Sequence, residues 1–195
     1  MTSAATDELL QDHVVIRRLQ AVIEKCYTLL YEGSDIPFAD LVKISDVIEQ
    51  FVDQLHHGKE EKSYFPGTEN RDGYSEDVRK FVIEHEFGRR ISKRIRIYLE
   101  DFLQGKDARE PLARYLKTYS VFILDHTSKE DRFFNDVKQS RSLSADEERS
   151  LSGQFERMRH QCAAVVGNME EAIEQLEKSD WYSSPTRSST ASGSS

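Results

Sequence analysis

The chain has 195 residues, of which 37% are hydrophobic and 32% charged, and its formal net charge at pH 7 is −8. This length is enough for one domain with a substantial core, and a content of only nine Gly and four Pro is typical of a helical protein. The surplus of negative charge argues against nucleic acid or an anionic membrane surface as a partner. The two cysteines form neither a CxxC pair nor a disulfide framework, the N-terminus lacks the features of a signal peptide, and no apolar run approaches the ~20 residues of a membrane span. We therefore expect a protein of the reducing cytoplasm that does not associate with membranes.

Apolar residues at helical spacing cover almost all of the chain, and alternation typical of strands is not convincing anywhere. Four long helices are predicted at about residues 6–32, 38–64, 75–103 and 111–137, separated by Gly- and Pro-containing breaks. Because the connections are short, each helix should run antiparallel to the next. The predicted fold class is therefore all-α, with an up-down-up-down four-helix bundle formed by residues 1–140.

A fifth helix is predicted after the bundle. Ser144 and Glu147 form a plausible capping box at its start, and the helix reaches about Lys178. Its apolar stripe consists of Leu151, Phe155, Met158, Cys162, Val165, Met169, Ile173 and Leu176. Such a stripe either packs on its own bundle, which we favour, or pairs with a second copy or another protein. We assign residues 141–180 to this amphipathic helix and predict that the low-complexity residues 181–195 form a disordered tail.

The six histidines are the residues with the clearest potential for chemistry. A lone His on an apolar face is usually a hydrogen-bonded core residue, and a lone HxxxE is common on helix surfaces. A metal site is therefore indicated only if several of these histidines fit one pattern. The segment HHGKEEKSYF from His56 is echoed by HTSKEDRFFN from His126, and each places a His and a Glu one helical turn apart. Matching ligand pairs on two helices are what a site for two metal ions requires.

Four of the histidines should also lie at the same depth. In an up-down-up-down bundle the starts of the first and third helices meet the ends of the second and fourth. At ~1.5 Å per residue, His13, His56, His85 and His126 then fall within one or two turns of each other. Surface histidines scattered at random would seldom do so.

Helical phase predicts which side chains of the doublets point inward. Positions four and eight before His56 are apolar, whereas the row that runs through His57 contains Asp53. On an α-helix this pattern places His56 and Glu60 inside, and His57 and Glu61 at the wetter rim. Several buried His and Glu side chains at one level would be costly without a partner, and a metal ion offsets that cost. Imidazole and carboxylate suit iron, manganese or zinc, while the alternative is a plain bundle with satisfied polar residues.

Four motifs together resemble those of the hemerythrin-like (HHE cation-binding) domains: DHVVIRR (12–18), HHGKEEKSYFP (56–66), EHEFGRR (84–90) and DHTSKEDRFF (125–134). The resemblance covers about residues 8–138. It implies a four-helix bundle that holds a carboxylate-bridged centre of two non-haem iron ions. Carried over position by position, the metal ligands would be His13, His56, Glu60, His85, His126 and Glu130, with the two glutamates as candidates for the bridges.

The chain departs from the oxygen-carrying members of that family at two positions. Those proteins have two histidines one turn apart on the third helix and an HxxxxD on the fourth. Here Arg89 stands at the second of these histidine positions, and His126 is followed by both Glu130 and Asp131. The predicted set is thus one His short, which leaves an iron position for water, peroxide or a nearby side chain. Tyr119 is a candidate to fill that position or to line the pocket, and otherwise a core tyrosine with a bonded hydroxyl.

The acids that precede three of the predicted ligands have two possible roles. Asp12, Glu84 and Asp125 each precede a His, and a side chain at i−1 points ~100° away, so it could orient a His on an adjacent helix. The alternative is chance in an acidic chain.

The function that we expect is the binding or sensing of dioxygen or a related oxidant such as peroxide. The alternatives are a di-iron enzyme that consumes peroxide and an iron-buffering or iron-responsive protein whose bundle is stabilised by metal. A ferritin-like oxidase is disfavoured because no ExxH is present, and a hydrolase because neither GxSxG nor HExxH is present.

Overall fold

The computed structural model describes residues 4–166 and 169–186, without the side chains of residues 163–166. Within these residues the chain forms seven helices and no strand: α1 (Ala5–Tyr31), α2 (38–68), α3 (Ser75–Leu103), α4 (Arg109–Ser140), α5 (Ala145–Val166), α6 (Met169–Glu177) and α7 (Asp180–Ser183). Helix α4 packs against both α1 and α3, and α2 packs against α1 and α3. The predicted all-α bundle with an additional C-terminal helix is confirmed. No helix in the described part of the chain is long and apolar enough to cross a membrane.

Glycines in the left-handed region follow two of the long helices. Gly33, after α1, has φ 79°, and Gly105, after α3, has φ 77°. A residue with a side chain is strained at such a φ, whereas glycine adopts it freely. A glycine at each of these positions therefore favours ending the helix there. These ends set the lengths of α1 and α3 and with them the level at which their histidines meet the other helices.

Helix α2 departs from regular α-helical geometry around its two histidines. Ile48–His56 and Glu60–Tyr64 form π-helical turns, separated by the α-helical residues His57–Lys59. In a π-helical turn each N–H bonds to the carbonyl five residues back rather than four. The rotation around the helix axis from one residue to the next is therefore smaller than in an α-helix. Two consecutive side chains, His56 and His57, are both fully buried as a result. The prediction that His57 lies at the rim was therefore wrong, because it assumed an α-helical phase.

The interior of the bundle contains two apolar layers with a polar level between them. One layer includes Ile16, Val52 and Ile123, and the other includes Leu9 and Phe133. The predicted ligand on each helix falls between members of the two layers in sequence. Side chains at this level are thus removed from water by packing on both sides, and any polar group among them needs a partner.

The C-terminal segment packs on the bundle. The predicted capping box is confirmed, since Glu147 accepts a hydrogen bond from the Ser144 backbone N–H at 2.8 Å and the Ser144 hydroxyl accepts one from the Glu147 N–H at 3.3 Å. Leu151, Phe155, Ile173 and Leu176 of the predicted stripe are buried. The side chain of Val165 lies outside the described residues, as do residues 167 and 168 between α5 and α6.

The chain remains ordered beyond the predicted start of the tail. Asp180–Ser183 form α7, and Trp181 is only 7% exposed, with its Nε1–H donating to the Asp40 carboxylate at 2.8 Å. The prediction of disorder from residue 181 was therefore wrong for these residues, because it weighed the polar composition and gave no weight to a single large apolar side chain. Residues 187–195 lie outside the described residues.

Trp181→Ala should lower the free energy of unfolding by about 3–5 kcal/mol, because it removes a large buried side chain and leaves a cavity. Denaturant unfolding of both proteins in the same metal-loading state measures the difference. Ser183→Ala, on the same short helix but exposed, is the control and should change stability little. A Trp181→Ala variant within about 0.5 kcal/mol of the wild type would show that the helix is not docked in solution.

Candidate metal centre

Seven side chains converge in the polar level between the two apolar layers, and each is at most 1% exposed: His13, His56, His57, Glu60, His85, His126 and Glu130. They form two groups, in each of which one potential ligand atom per residue lies within 4.8 Å of the others. The first group is His13, His56, Glu60 and Glu130, and the second is His57, His85 and His126. The structure thus brings together all six residues predicted from the sequence and adds His57. The sixth histidine of the chain, His160, belongs to neither group and is exposed on α5.

Glu60 lies between the two groups. Its Oε1 is 3.3 Å from Nε2 of His56, in the first group, and its Oε2 is 3.4 Å from Nε2 of His85, in the second. The π-helical turns of α2 place His56 and Glu60 on the same inward face. Each oxygen of this carboxylate therefore faces a different group, as a bridging ligand would.

Glu130 of α4 spans the same gap from the opposite helix. Its Oε2 is 3.3 Å from Nε2 of both His13 and His126, and its Oε1 is 3.2 Å from Nε2 of His85. Imidazoles of both groups therefore surround one carboxylate. Together with Glu60, it provides the two carboxylates that a bridged pair of cations requires.

Each of the five imidazoles turns its Nδ1 toward a carboxylate. The distances are 2.7 Å from His13 to Asp131, 3.2 Å from His56 to Asp12, 2.8 Å from His85 to Glu61, 2.8 Å from His126 to Glu84, and 3.5 Å from His57 to Asp53. The first four are hydrogen bonds that Nδ1–H donates. A His whose Nδ1 is protonated in this way presents the lone pair of Nε2, which is the form that binds a metal ion.

Cations in turn hold the four hydrogen-bonded outer carboxylates. Arg17 pairs with Asp131, Lys59 with Asp12 at 2.7 Å, Arg89 with Glu61 at 2.6 Å, and Lys129 with Glu84 at 2.8 Å. Lys59 is itself 2% exposed and lies over the ring of Phe155, so helix α5 contacts this outer shell. Each of these four imidazoles is thus fixed by a chain of charged contacts rather than by packing alone, which keeps the four Nε2 atoms directed toward the centre.

The structure decides between the alternatives for the acids that precede the histidines. Asp12 and Glu84 bond to His56 and His126 on neighbouring helices, as the orienting role requires. Asp125 instead pairs with Lys129 and is 66% exposed. Orientation across helices therefore applies to two of the three.

Tyr119 was expected either to fill or line the open iron position or to be a core tyrosine with a bonded hydroxyl, and its position matches neither description completely. It is 1% exposed, and its hydroxyl has no hydrogen-bond partner among the described residues. Burial and the nearby carboxylate of Asp53 raise its pKa well above the usual range. Tyr119 is therefore a buried phenol close to Asp53 and outside both ligand groups.

Burial and mutual charge set the protonation of the inner side chains. Burial raises the pKa of Glu60, and the charge of Glu130 raises it further. Burial acts on Glu130 in the same direction, but the imidazoles of His126, His13 and His85 outweigh it and hold the pKa of Glu130 well below its usual range. Without a cation, the surroundings therefore favour the ionised form of Glu130 and the protonated form of Glu60.

The two consecutive histidines of α2, His56 and His57, are neutral. Burial lowers the pKa of His56 to about 4, and burial together with the neighbouring imidazoles of His85, His56 and His126 lowers the pKa of His57 well below its usual value. A neutral imidazole has a free lone pair for a metal ion.

Unpaired atoms at the centre test whether these residues fit a metal. Nε2 of His57 and His126, both oxygens of Glu60 and Oε2 of Glu130 are buried, and none of these atoms has a hydrogen-bond partner in the part of the chain that the structure describes. Each such atom costs about 1–3 kcal/mol, and all of them face the interior of the two groups. The donor set of imidazole nitrogen and carboxylate oxygen is the one that suits iron, manganese or zinc, so the residues fit a metal centre.

Sequence reasoning missed His57 and the carboxylates that face the imidazoles from other helices. The doublet at 56–57 and the acid four residues before His57 are visible in the sequence, but only the π-helical turns show that they point inward. Asp131 and Glu61 were noticed as acids next to predicted ligands, without their contacts to His13 and His85.

Glu84→Gln should weaken metal binding by about 10–100-fold, because it removes the charged acceptor that orients His126. Asp125→Asn is the matched control: both carboxylates pair with Lys129, but only Glu84 contacts a histidine. Metal affinity measured by competition with a chelator should fall for the first variant and stay within about twofold for the second. Equal losses in the two variants would show that the contact to Lys129, rather than the contact to His126, matters.

A family model for the hemerythrin HHE cation binding domain matches residues 4–137 of the chain. Comparisons with curated proteins and with solved structures gave no match. The matched range covers α1 to α3 and most of α4, and it includes all seven side chains of the centre.

Proposed function

The chain belongs to the hemerythrin HHE cation-binding domain family, and from that premise we propose that it holds two iron ions and binds or senses dioxygen or a related oxidant. The observation that carries the proposal is the division of seven buried potential ligands into two groups, with the carboxylates of Glu60 and Glu130 each in contact with imidazoles of both. Two groups of donors with a carboxylate between them suit a pair of cations better than a single one. Iron supplies the capacity to bind and reduce a small oxidant when it is present.

His57 changes the comparison with the oxygen carriers. The sequence alone suggested a ligand set one imidazole short, because Arg89 stands at the second histidine position of α3. In the structure His57 reaches the same level from α2, and its ring stacks on that of His85 with centroids 3.9 Å apart. Five imidazoles and two carboxylates are then available, which removes the main reason to favour peroxide chemistry over binding.

The chain's own side chains prepare the site for a reversible ligand. The outer carboxylates keep Nδ1 of four imidazoles protonated, so that Nε2 faces inward. Apolar layers on both sides exclude bulk water, which limits proton delivery to a bound oxidant. A dry site with fixed ligands favours binding and release over turnover.

A peroxide-consuming enzyme is the second candidate, and Asp53 is the observation that favours it. Burial raises the pKa of this carboxyl to about 6, against a smaller opposite effect of the Ser92 hydroxyl. A carboxyl group that is partly protonated near neutral pH, 3.5 Å from His57, is placed to deliver a proton beside the second group.

Spectroscopy of the iron-loaded protein separates these functions. The protein is reduced, exposed to dioxygen and then returned to an oxygen-free atmosphere while its near-ultraviolet and visible spectrum is recorded. We expect a band that appears with dioxygen and disappears on its removal. Irreversible oxidation together with repeated consumption of added peroxide would contradict binding and support the enzyme, and no response to either oxidant would point to iron buffering.

A further inference from the structure

A groove of about 510 Å³ lies on the surface between α3 and α4. Most of the residues that line it come from α3, and α4 contributes Tyr115 and Thr118. Ile91 is buried and forms the inner part of the groove, while Phe87 and Ile97 are exposed. None of these residues belongs to either ligand group, so the groove is not part of the candidate metal centre.

Packing between α3 and α4 fixes the groove at two points. A Cβ at Gly88 would lie 2.7 Å from Cε1 of Phe122, so the glycine lets that ring pack directly against α3. The Phe122 ring also contacts that of Phe87, with centroids 5.6 Å apart. Further along the two helices, Tyr98 stacks on Tyr115 with centroids 5.3 Å apart. The groove is therefore formed before anything binds to it, which lowers the cost of ordering a docking site.

Exposed apolar side chains form a row along α3 beside the groove. Ile83 and Phe87 are each more than half exposed, and Ile97 is exposed as well. Their spacing places all three on one face of the helix, and at ~1.5 Å per residue the row is about 21 Å long. A single exposed apolar side chain is ordinary, whereas a row of them next to a groove marks an interaction site.

The segment GRRISKRIR (88–96) of α3 contains five cations, and acids of α2 pair with two of them. Arg89 pairs with Glu61, and Arg96 pairs with Asp46. The remaining three line the groove: Arg90, Lys93 and Arg94. Contacts between α2 and α3 therefore account for the first two cations and leave the three groove cations without such a role.

The groove cations have no close acidic partner. The carboxylate of Glu86 is 3.9 Å from Arg90, which is beyond hydrogen-bond distance. Neither Lys93 nor Arg94 forms an ion pair with any residue that the structure describes. No carboxylate is present among the described residues that line the groove. The groove is thus positive on a chain whose net charge is −8, and it attracts acidic groups.

We propose that this groove binds an acidic amphipathic helix of another protein. Apolar side chains of that helix, at positions i, i+3, i+4 and i+7, contact Phe87, Ile91 and Ile97, and acidic side chains beside them pair with the groove cations. A helix of about four turns matches the length of the apolar row. Complementary charge fixes the register of the helix and speeds its association. The proposal does not rest on the proposed function, because the groove and the ligand groups share no residue.

Three other occupants fit the groove less well. In a symmetric dimer through this face the groove cations of the two copies would meet, and like charges repel. The residues of the chain outside the described ranges include no Asp or Glu, so they offer no partner for the cations. An anionic membrane is flat, whereas the apolar inner part of the groove is recessed between two helices. An acidic helix satisfies both the shape and the charge.

Fluorescence anisotropy with a labelled synthetic peptide tests the proposal. The probe is a helical peptide of about 16 residues with leucines at i, i+3, i+4 and i+7 and glutamates at most other positions. The control peptide has lysines in place of the glutamates. We expect saturable binding of the acidic peptide to the full-length protein, weakened by added salt, and no binding of the basic one. The absence of saturable binding, or equal binding of both peptides, would overturn the proposal.

Arg94→Glu should weaken binding of the acidic peptide by about tenfold or more, because an attraction in the groove becomes a repulsion. Arg157→Glu makes the same change at an exposed position of α5, which packs on α1 and α2. There the charge lies outside the groove and is screened from the peptide, so the affinity should change by less than about twofold. Equal losses in the two variants would show that the peptide responds to the net charge of the chain, and the groove would not be its site.

Phe87→Ala should weaken binding of the acidic peptide by about fivefold or more, because it removes an aromatic anchor. Tyr31→Ala on α1 is the matched control, since both residues are exposed aromatic side chains that contact another ring. Far-ultraviolet circular dichroism shows whether each variant is folded. A folded Phe87→Ala variant with wild-type affinity would contradict docking on the apolar row.

Two further measurements distinguish the occupants. Analytical ultracentrifugation gives the oligomeric state, and flotation with vesicles of phosphatidylcholine and phosphatidylserine measures membrane binding. We expect a monomer that leaves the vesicles unbound. A wild-type dimer that Arg94→Glu dissociates would assign the face to a second copy, and vesicle binding that Arg94→Glu abolishes would assign it to a membrane. Either result would overturn the acidic helix as the occupant.

Discussion

Glu130→Gln is expected to reduce bound iron from about two ions per chain to fewer than one. Glu130 contacts imidazoles of both ligand groups, so its loss would remove an anionic donor from both of the proposed ions at once. The amide has almost the same size but no charge, which leaves imidazoles and one carboxylate to balance two dications. The loss of affinity should exceed the ~100-fold that removal of an outer carboxylate causes. Iron quantified after reconstitution and desalting gives the stoichiometry.

Glu156→Gln provides the control for Glu130→Gln. Glu156 is a glutamate of α5 whose side chain is 61% exposed, so the same substitution there should leave the iron content unchanged. Far-ultraviolet circular dichroism of the metal-free proteins shows whether the bundle is intact. A Glu130→Gln variant that is folded and retains two ions would contradict the role of Glu130 as a shared ligand.

His57→Ala is expected to remove one of the two ions and to leave the other. His57 belongs to the group that also contains His85 and His126, whereas the first group keeps all four of its donors. From the helical phase alone, little effect would be expected for this variant and a large one for His56→Ala. The buried position of His57 now predicts a loss of about one ion for either substitution.

His160→Ala is the matched control for His57→Ala, because His160 is 78% exposed on α5, pairs with Glu156 and belongs to neither ligand group. Iron content and the optical spectrum of the reconstituted proteins provide the measurements. A His57→Ala variant with two ions and an unchanged spectrum would show that His57 is a buried spectator, and the centre would then have four imidazoles.

The depth of the site could be predicted from the sequence, because it depends only on helix lengths and on the direction of each helix. His13, His56, His85 and His126 do meet at one level. The rise per residue is nearly constant in a helix, so counting from the turns gives the level to within a turn or two. The two glutamates followed from their spacing to His56 and His126.

Which side chains of α2 point into the bundle could not be predicted, because this depends on the rotation per residue around the helix axis. That rotation depends on π-helical turns, which are rare and have no simple signature in the sequence. One additional residue per turn was enough to move His57 and Asp53 from the rim to the interior. The contacts between histidines and carboxylates on different helices depend on the same packing. Only the acids that directly precede a histidine, Asp12, Glu84 and Asp125, could be suspected in advance, and the first two make such contacts.

The number of iron ions that the wild-type chain binds decides whether the buried histidines and glutamates form two metal sites. The purified protein is reconstituted with ferrous iron without oxygen, desalted, and analysed for iron and protein concentration on the same sample. The two ligand groups with their shared carboxylates predict about two ions per chain, and magnetic measurements should show that the ions are coupled. A chain that remains free of iron, or that binds a single ion at saturation, would contradict the account.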